Sequence, residues 1–230
     1  MSLRFQIGID IGGTFTDLVV AGNDGSLHRR KDLSTPGDYG RGIAEGLASA
    51  LASLKASPEQ VDRVVHATTV ATNTILEHKG ARTGLVTTKG FRDVLEMRRL
   101  RIPEMYALNW QKPAPLVPRR LRLEIAERMG PRGEVWEPLD EATVHEAAAR
   151  LKAADVEAVA ISLLHAYADP AHEKRVQAML RDTLGDGIFI TCSSDILPVI
   201  REYERTSTTV INASNNAYSA AVAPFSFFTI

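Results

Sequence analysis

The first 32 residues carry three β-rich runs whose connections are too short for anything but antiparallel neighbours. Phe5–Ile11 alternates and then runs apolar, Thr16–Ala21 follows, and an Asn23-Asp24-Gly25 turn leads into Ser26–Asp32. A parallel crossover takes about a dozen residues or more. The chain therefore opens with an antiparallel three-stranded unit, and a purely parallel sheet is excluded.

Helices and strands alternate after that. Thr35 is the expected N-cap and Pro36 the first residue of a helix whose stripe is Ile43, Leu47, Ala50, Leu51 and Leu54. Ser57-Pro58-Glu59-Gln60 reads as a capping box opening one more turn. Val61–Ala67 is expected as a short buried strand, Thr69–His78 as a helix ended by Gly80, Ala81–Thr87 as a strand and Phe91–Met97 as a short helix. Ile102–Pro118 is proline-rich and aperiodic, a long surface loop of the kind that often carries function. Leu121–Arg128 and Glu134–Trp136 suggest a strand pair across Gly130-Pro131-Arg132-Gly133. Asp140 caps a helix to Ala153, Ala158–Leu163 is a buried strand, and Asp169-Pro170 starts a helix to Leu184. Ile188–Thr191 is a last strand and Pro198–Asn212 a last helix. This order points to a ribonuclease-H-like α/β layer, a mixed sheet flanked by helices with an additional α/β subdomain, rather than a pure Rossmann sheet.

Composition narrows the function classes. The 230 residues are 44% hydrophobic and 24% charged, enough for a sizeable core. The 27 basic residues nearly cancel the 28 acidic ones, so net charge gives no pull toward nucleic acid or membrane. No run approaches the ~18 apolar residues that span a bilayer, and the N-terminus does not read as a signal peptide. The single cysteine, Cys192, excludes an intrachain disulfide and suits a reducing cytoplasm.

Asp10-Ile11-Gly12-Gly13-Thr14-Phe15-Thr16-Asp17 lies between the first two strands. Gly12 and Gly13 let backbone N–H groups approach an anion with no Cβ in the way. Thr14 and Thr16 add hydroxyls. Asp10 suits a magnesium ion held through its waters, and Asp17 does the same or braces the turn. A plain hairpin, with glycines for positive φ and threonines for β propensity, is the competing reading. The Gly-Lys-Ser/Thr ending of a P-loop is missing, and no helix follows as in a dinucleotide fingerprint. Thr68, Thr69 and Asn73 fall where a strand meets a helix N-terminus, a place suited to a phosphoryl oxygen or oxyanion. His66 reads as a core histidine ahead of a general base.

Ile7–Val20, IGIDIGGTFTDLVV, resembles the first phosphate loop of the actin-like ATPase superfamily, and its GGTFTD resembles the hydantoinase A/5-oxoprolinase branch. Three further blocks are similar to that branch. They are TTVATN at 68–73 with the stretch from Lys79 to Asp93, AISLLHAYADP from Ala160 to Pro170 with His172-Glu173, and REYERTSTTVINA from Arg201 to Ala213. The resemblance implies ATP-dependent opening of a cyclic amide such as 5-oxoproline or a hydantoin, or carboxylation of acetone or acetophenone. The shared logic is phosphorylation of a carbonyl or enol oxygen. It implies ATP and Mg2+ as cofactors, with Gly12, Gly13, Thr14, Thr16 and Asp17 binding the cofactor. Asp10, as metal ligand, joins Thr68, Thr69 and Asn73 in the catalytic set. It also implies an N-terminal domain over 5–192, the start of a core domain at 193–213, and an unrelated uncharged tail at 214–230. The second phosphate loop and the adenosine pocket of the family are missing from the sequence. Expected partners are the small cyclic amide and a second subunit or another copy. A non-catalytic module docking on a partner subunit and a sugar-kinase-like ATPase are the alternatives.

Other candidates carry less. Glu202 and Arg205 share a helical face and suit either a solvated ion pair or a substrate contact. The basic clusters at Arg98–Arg101 and Arg119–Arg122 read as solvated faces, or as contacts with an anionic substrate or partner, ahead of a nucleic-acid patch. Cys192 reads as a structural or idle thiol. His145, His165 and His172 lack a zinc spacing.

Overall fold

The computed structural model describes residues 2–35, 38–99, 106 and 109–222, without the side chains of residues 70–71 and 217–222. The chain divides into two compact units, Met1–Lys79 with Ser219–Ile230, and Gly80–Tyr218.

The first unit is built on strands β1 (Phe5–Ile11), β2 (Phe15–Gly22) and β3 (Leu27–Leu33), helix α1 (Tyr39–Ser53), strand β4 (Val61–Thr68) and helix α2 (Val70–Leu76). The sheet order is β3-β2-β1-β4, antiparallel through the first three strands and parallel between β1 and β4. Period-two patterning does the work here. Phe5, Ile7, Ile9 and Ile11 of β1 are buried with Leu18 and Val20 of β2 against Tyr39, Ala50 and Leu51 of α1. Gln6, Gly8 and Asp10 alternate with them on the exposed side. β3 is an edge strand with exposed Arg29, Arg30 and Lys31, charges that discourage pairing with another chain.

The meander and the α1 stripe agree with expectation. Two details differ. The cap of α1 is Asp38, whose carboxylate accepts from the Arg41 N–H at 2.9 Å. Thr35 instead donates its hydroxyl to the Asp38 carbonyl, and Pro36 lies outside the described residues. β4 is a strand but not a buried one: Val64 and Val65 are 45% and 57% exposed, because β4 lies at the end of this sheet's strand order. α2 ends at Leu76 with His78 at φ 53°, so the chain leaves the helix before Gly80. The capping-box turn is present as a single 3-10 turn at Pro58–Gln60, where the Ser57 N–H donates to Gln60 Oε1.

The second unit has a parallel sheet of order β10-β9-β5-β6, from β5 (Thr83–Thr88), β6 (Arg122–Ile125), β9 (Ala158–Ser162) and β10 (Phe189–Cys192). Around it lie α3 (Val94–Met97), the ribbon of β7 (Arg128–Met129) and β8 (Val135–Glu137), and helices α4 (Glu141–Ala153), α5 (Ala171–Leu184), α6 (Ser193–Ile196) and α7 (Glu202–Val222). β5 and β9 are buried at every residue, so both sheet faces are covered, as parallel strands require. Leu151 of α4 packs where Gly84 of β5 lacks a side chain. Asp140 caps α4 as expected, accepting from the Ala142 N–H at 3.0 Å.

The expected pair of Leu121–Arg128 with Glu134–Trp136 is corrected. Arg122–Ile125 joins β5 in the main sheet, and only Arg128–Met129 pairs with β8. The apolar run at Leu123 and Ile125 finds more burial in a parallel core than in a two-stranded ribbon. The last helix starts at Glu202 and runs past Asn212 to Val222. Of the expected loop at 102–118, residues 102–105, 107 and 108 lie outside the described residues, and 106 and 109–118 carry no helix or strand, as expected.

Candidate functional site

The glycine loop is held from two sides within the first unit. The Gly12 N–H donates to the Phe15 carbonyl at 2.9 Å, which closes the turn between β1 and β2. Neither glycine takes the positive φ of the plain-hairpin reading; Gly12 is needed for space, and Gly13 has a close side-chain neighbour. A Cβ on Gly12 would sit 2.9 Å from the Phe15 oxygen, and one on Gly13 would sit 3.3 Å from Asn73 Nδ2. Ser34, just past β3, braces the other side. Its N–H donates to the Thr14 carbonyl at 2.9 Å and its hydroxyl to the Gly12 carbonyl at 2.7 Å. Since Ser34 spends its proton there, the 3.0 Å contact with Thr16 makes the Thr16 hydroxyl the donor to Ser34 Oγ. Thr16 is buried and Thr14 exposed, so of the two hydroxyls only that of Thr14 faces solvent. Among the described residues, no protein acceptor takes the N–H of Gly13 or Thr14. Two free N–H groups and a hydroxyl on a fixed turn make an anion cradle.

Asp10 and Asp17 are direct partners in the antiparallel register of β1 and β2. Facing carboxylates repel unless a cation sits with them. Lys31 Nζ lies 3.3 Å from Asp17 and supplies one positive charge. Asp10 is exposed on the uncovered side of β1 at the mouth of the loop. Two carboxylates with room for water suit a hydrated magnesium ion, which usually takes one or two protein carboxylates.

The segment after β4 forms a third wall. The Thr69 N–H and the Thr68 hydroxyl both donate to the Ile11 carbonyl, each at 3.1 Å. These bonds tie the end of β1 to the start of α2, and Asn73 of α2 then borders Gly13. The structure thus gathers Asp10, Gly12, Gly13, Thr14, Thr16, Asp17, Thr68, Thr69 and Asn73 around one turn. His66 is exposed on β4, so its expected core role is corrected. Ser34 had no signal in the sequence: a lone serine after a charged strand becomes meaningful only when β3 is laid beside the loop.

The remaining candidates resolve within the second unit. Arg205 is 1% exposed and donates to the carbonyls of Val199 and Leu163, each at 2.9 Å, so the solvated-pair reading fails. Burial lowers its pKa, with Glu173 and Glu202 opposing that shift. Glu204 pairs instead with Arg99. Arg119 pairs with Asp93 at 2.9 Å and Arg122, almost fully buried, with Glu96 at 2.8 Å; Arg101 lies outside the described residues. Cys192 is fully buried and desolvation pushes its thiol up to about 12, which suits a structural residue. Glu173, quoted in the block with His172, and Glu127, which no motif flagged, are buried carboxylates. Glu173 accepts from the Leu163 N–H, Ser193 hydroxyl and Ser194 N–H, at 3.0, 2.6 and 2.9 Å. Glu127 meets Thr88 and His172. Among the described residues no group of three or more His, Cys, Asp and Glu is arranged to hold a metal.

Known proteins are similar to this chain. The α subunit of caprolactamase from Pseudomonas jessenii is 39% identical over 216 residues, covering 91% of this chain and 31% of that protein. The nucleotide-free structure of acetone carboxylase, described as ATP-dependent, matches with a TM-score of 0.86 at 31% identity, over 95% of this chain and 33% of that one. The ATP-dependent caprolactamase of P. jessenii matches with a TM-score of 0.78 at 36% identity, over 95% and 34%. The chain thus spans about a third of the length of these relatives. Residues 6–184 match the hydantoinase/oxoprolinase N-terminal region. With well over half of its length matched, the chain belongs to the hydantoinase/oxoprolinase family, whose N-terminal region it carries.

Proposed function

We propose that this chain provides the first phosphate loop of an ATP-dependent enzyme that opens a cyclic amide. The observation that carries the reading is the braced turn with unspent Gly13 and Thr14 N–H groups beside the Asp10–Asp17 pair. When bound, ATP supplies a phosphoryl group that turns the amide oxygen into a leaving group. The residues of the chain do the positioning on which phosphoryl transfer depends. Gly13 and Thr14 donate to a phosphate oxygen, Asp10 and Asp17 hold Mg2+ through waters, and the Thr69 hydroxyl and Asn73 amide orient the group being transferred. Thr16, Ser34 and Thr68 keep the turn rigid. The strand order β3-β2-β1-β4 supports a ribonuclease-H-like layer for the first unit. Residues 193–213 open the next domain of the family, a second subunit completes the enzyme as the name of the caprolactamase relative suggests, and the cytoplasm is its compartment. Among the described residues no helix is long and apolar enough to cross a membrane.

A second reading is ATP-dependent carboxylation of a ketone. The TM-score of 0.86 to acetone carboxylase favours it. Both readings use the same loop, so nucleotide binding tests the site and substrate choice separates the reactions. Titration of the chain with MgATP is expected to shift the backbone amides of Gly12–Thr14, and Asp10→Ala and Gly13→Val are expected to abolish the response. Unchanged affinity in either variant sinks the assignment. ATP hydrolysis by the full-length protein, stimulated by 5-oxoproline, hydantoin or caprolactam but not by acetone, selects the first reading, and the reverse pattern selects the second.

A further inference from the structure

The second unit holds a recess that the phosphate loop does not explain. It lies at the carboxyl ends of β5 and β9, where ligands bind open parallel sheets. Its volume is about 10 Å³, room for one water or one ligand oxygen. Arg205 lines it. Two of the Arg205 nitrogens donate to backbone carbonyls, but Nε is buried and has no hydrogen-bond partner. A buried guanidinium N–H left over is costly unless something accepts from it.

The other lining groups define that acceptor. Ser162 Oγ and Thr206 Oγ1 lie 2.8 Å apart and share one hydrogen bond, which leaves one hydroxyl proton unspent. Thr87 donates to the Ser162 carbonyl and has no proton left. The recess therefore offers two donors, matching the two lone pairs of one carbonyl oxygen. Glu202 also lines it and adds a carboxylate acceptor beside those donors. Positive and negative side chains together favour a neutral ligand over an anion. Phe91 and Val94 complete the lining with apolar surface. The loop leaving β9 is held in an uncommon conformation here, with His165 at φ 58°.

We propose that this recess recognises the cis-amide edge of a lactam. A ring amide presents its C=O and N–H on the same side. The carbonyl oxygen enters the recess and accepts from Arg205 Nε and the Ser162–Thr206 hydroxyl pair. The ring N–H donates to Glu202, and the ring methylenes lie on Phe91 and Val94. This deepens the cyclic-amide reading and rests on it for the choice of ligand.

The test titrates the full chain with 2-pyrrolidone and follows backbone amide shifts. Saturable shifts confined to residues 87–94, 162–164 and 202–206 are expected. N-Methyl-2-pyrrolidone, which lacks the N–H, and acetate are each expected to bind at least about 5-fold more weakly. Glu202→Leu is expected to weaken 2-pyrrolidone by a similar factor and leave the N-methyl compound unchanged, which isolates the N–H contact. Equal binding of the N-methyl compound, tighter binding of acetate, or shifts centred elsewhere overturns the proposal, and so does their absence up to the solubility limit. The ligand series uses the unaltered protein, so the result stands even if a variant fails to fold. MgATP shifts at Gly12–Thr14 are read in the same samples. Their loss with the lactam response intact rejects the phosphate loop alone, and the converse rejects the recess alone.

Discussion

The two units bury their sheets in opposite ways. In the first, β1 alternates strictly, and α1 covers the side that carries Ile7, Ile9 and Ile11. Gly8 and Asp10 stay on the uncovered side. In the second, β5 and β9 have no exposed residue. The cause is strand direction. Antiparallel hairpins close with short turns and tolerate one wet face, whereas parallel strands need crossovers that cover both. A wet face leaves carboxylates and free N–H groups available to a charged ligand. A dry sheet confines polar chemistry to its strand ends, where Thr87, Ser162 and Arg205 gather.

Substitutions break or sharpen this contrast. The largest effect is expected from Leu151→Ala in the second unit, fully buried against β5, at about 3 kcal/mol by urea unfolding. A loss below ~1 kcal/mol would show that the dry core repacks easily. Next is a pH effect that only a dry interior produces. The Cys192 thiol is held near 12 against an ordinary value of 9, so the folded state keeps its proton where the unfolded state releases it. Its contribution is therefore complete below pH 9 and fades as pH rises toward 12, by at most ~1.4 kcal/mol per pH unit. Cys192→Ala should flatten that part of the stability profile; an unchanged slope assigns it to other groups. Ser34→Ala should cost about 1 kcal/mol and loosen the loop, read as weaker MgATP binding. Unaltered nucleotide affinity would make Ser34 irrelevant to the site. The smallest effect belongs to Val65→Thr on exposed β4, within ~0.5 kcal/mol. A cost matching that of Leu151→Ala would erase the distinction between the units.

Much of this was legible in the sequence because it depends on local rules. Turn chemistry at Asn23-Asp24-Gly25, the α1 stripe, the Asp140 cap and the continuous apolar run at Ala158 follow from neighbours a few positions apart. Gly12 and Gly13 were visible as a loop needing space. What failed was partner choice. Leu123 and Ile125 fit a ribbon or a sheet equally well, and only burial beside β5 decided between them. Thr35 was the expected cap, and the chain leaving β3 puts Asp38 in that place instead. The apolar character of Val64 and Val65 promised burial that β4 does not have in this sheet.

By itself the sequence determined that the chain opens antiparallel, where its glycine loop falls and which residue types surround it. Periodicity and turn propensity act over a few residues, so they are written locally. The tertiary structure alone decided that Asp10 faces Asp17, that Ser34 and Asn73 close around the loop, and that Arg205 is buried with one N–H to spare. Those relations join residues up to 60 positions apart, as with Gly13 and Asn73. They depend on register and on competition for burial across the whole fold, which no short window of sequence contains.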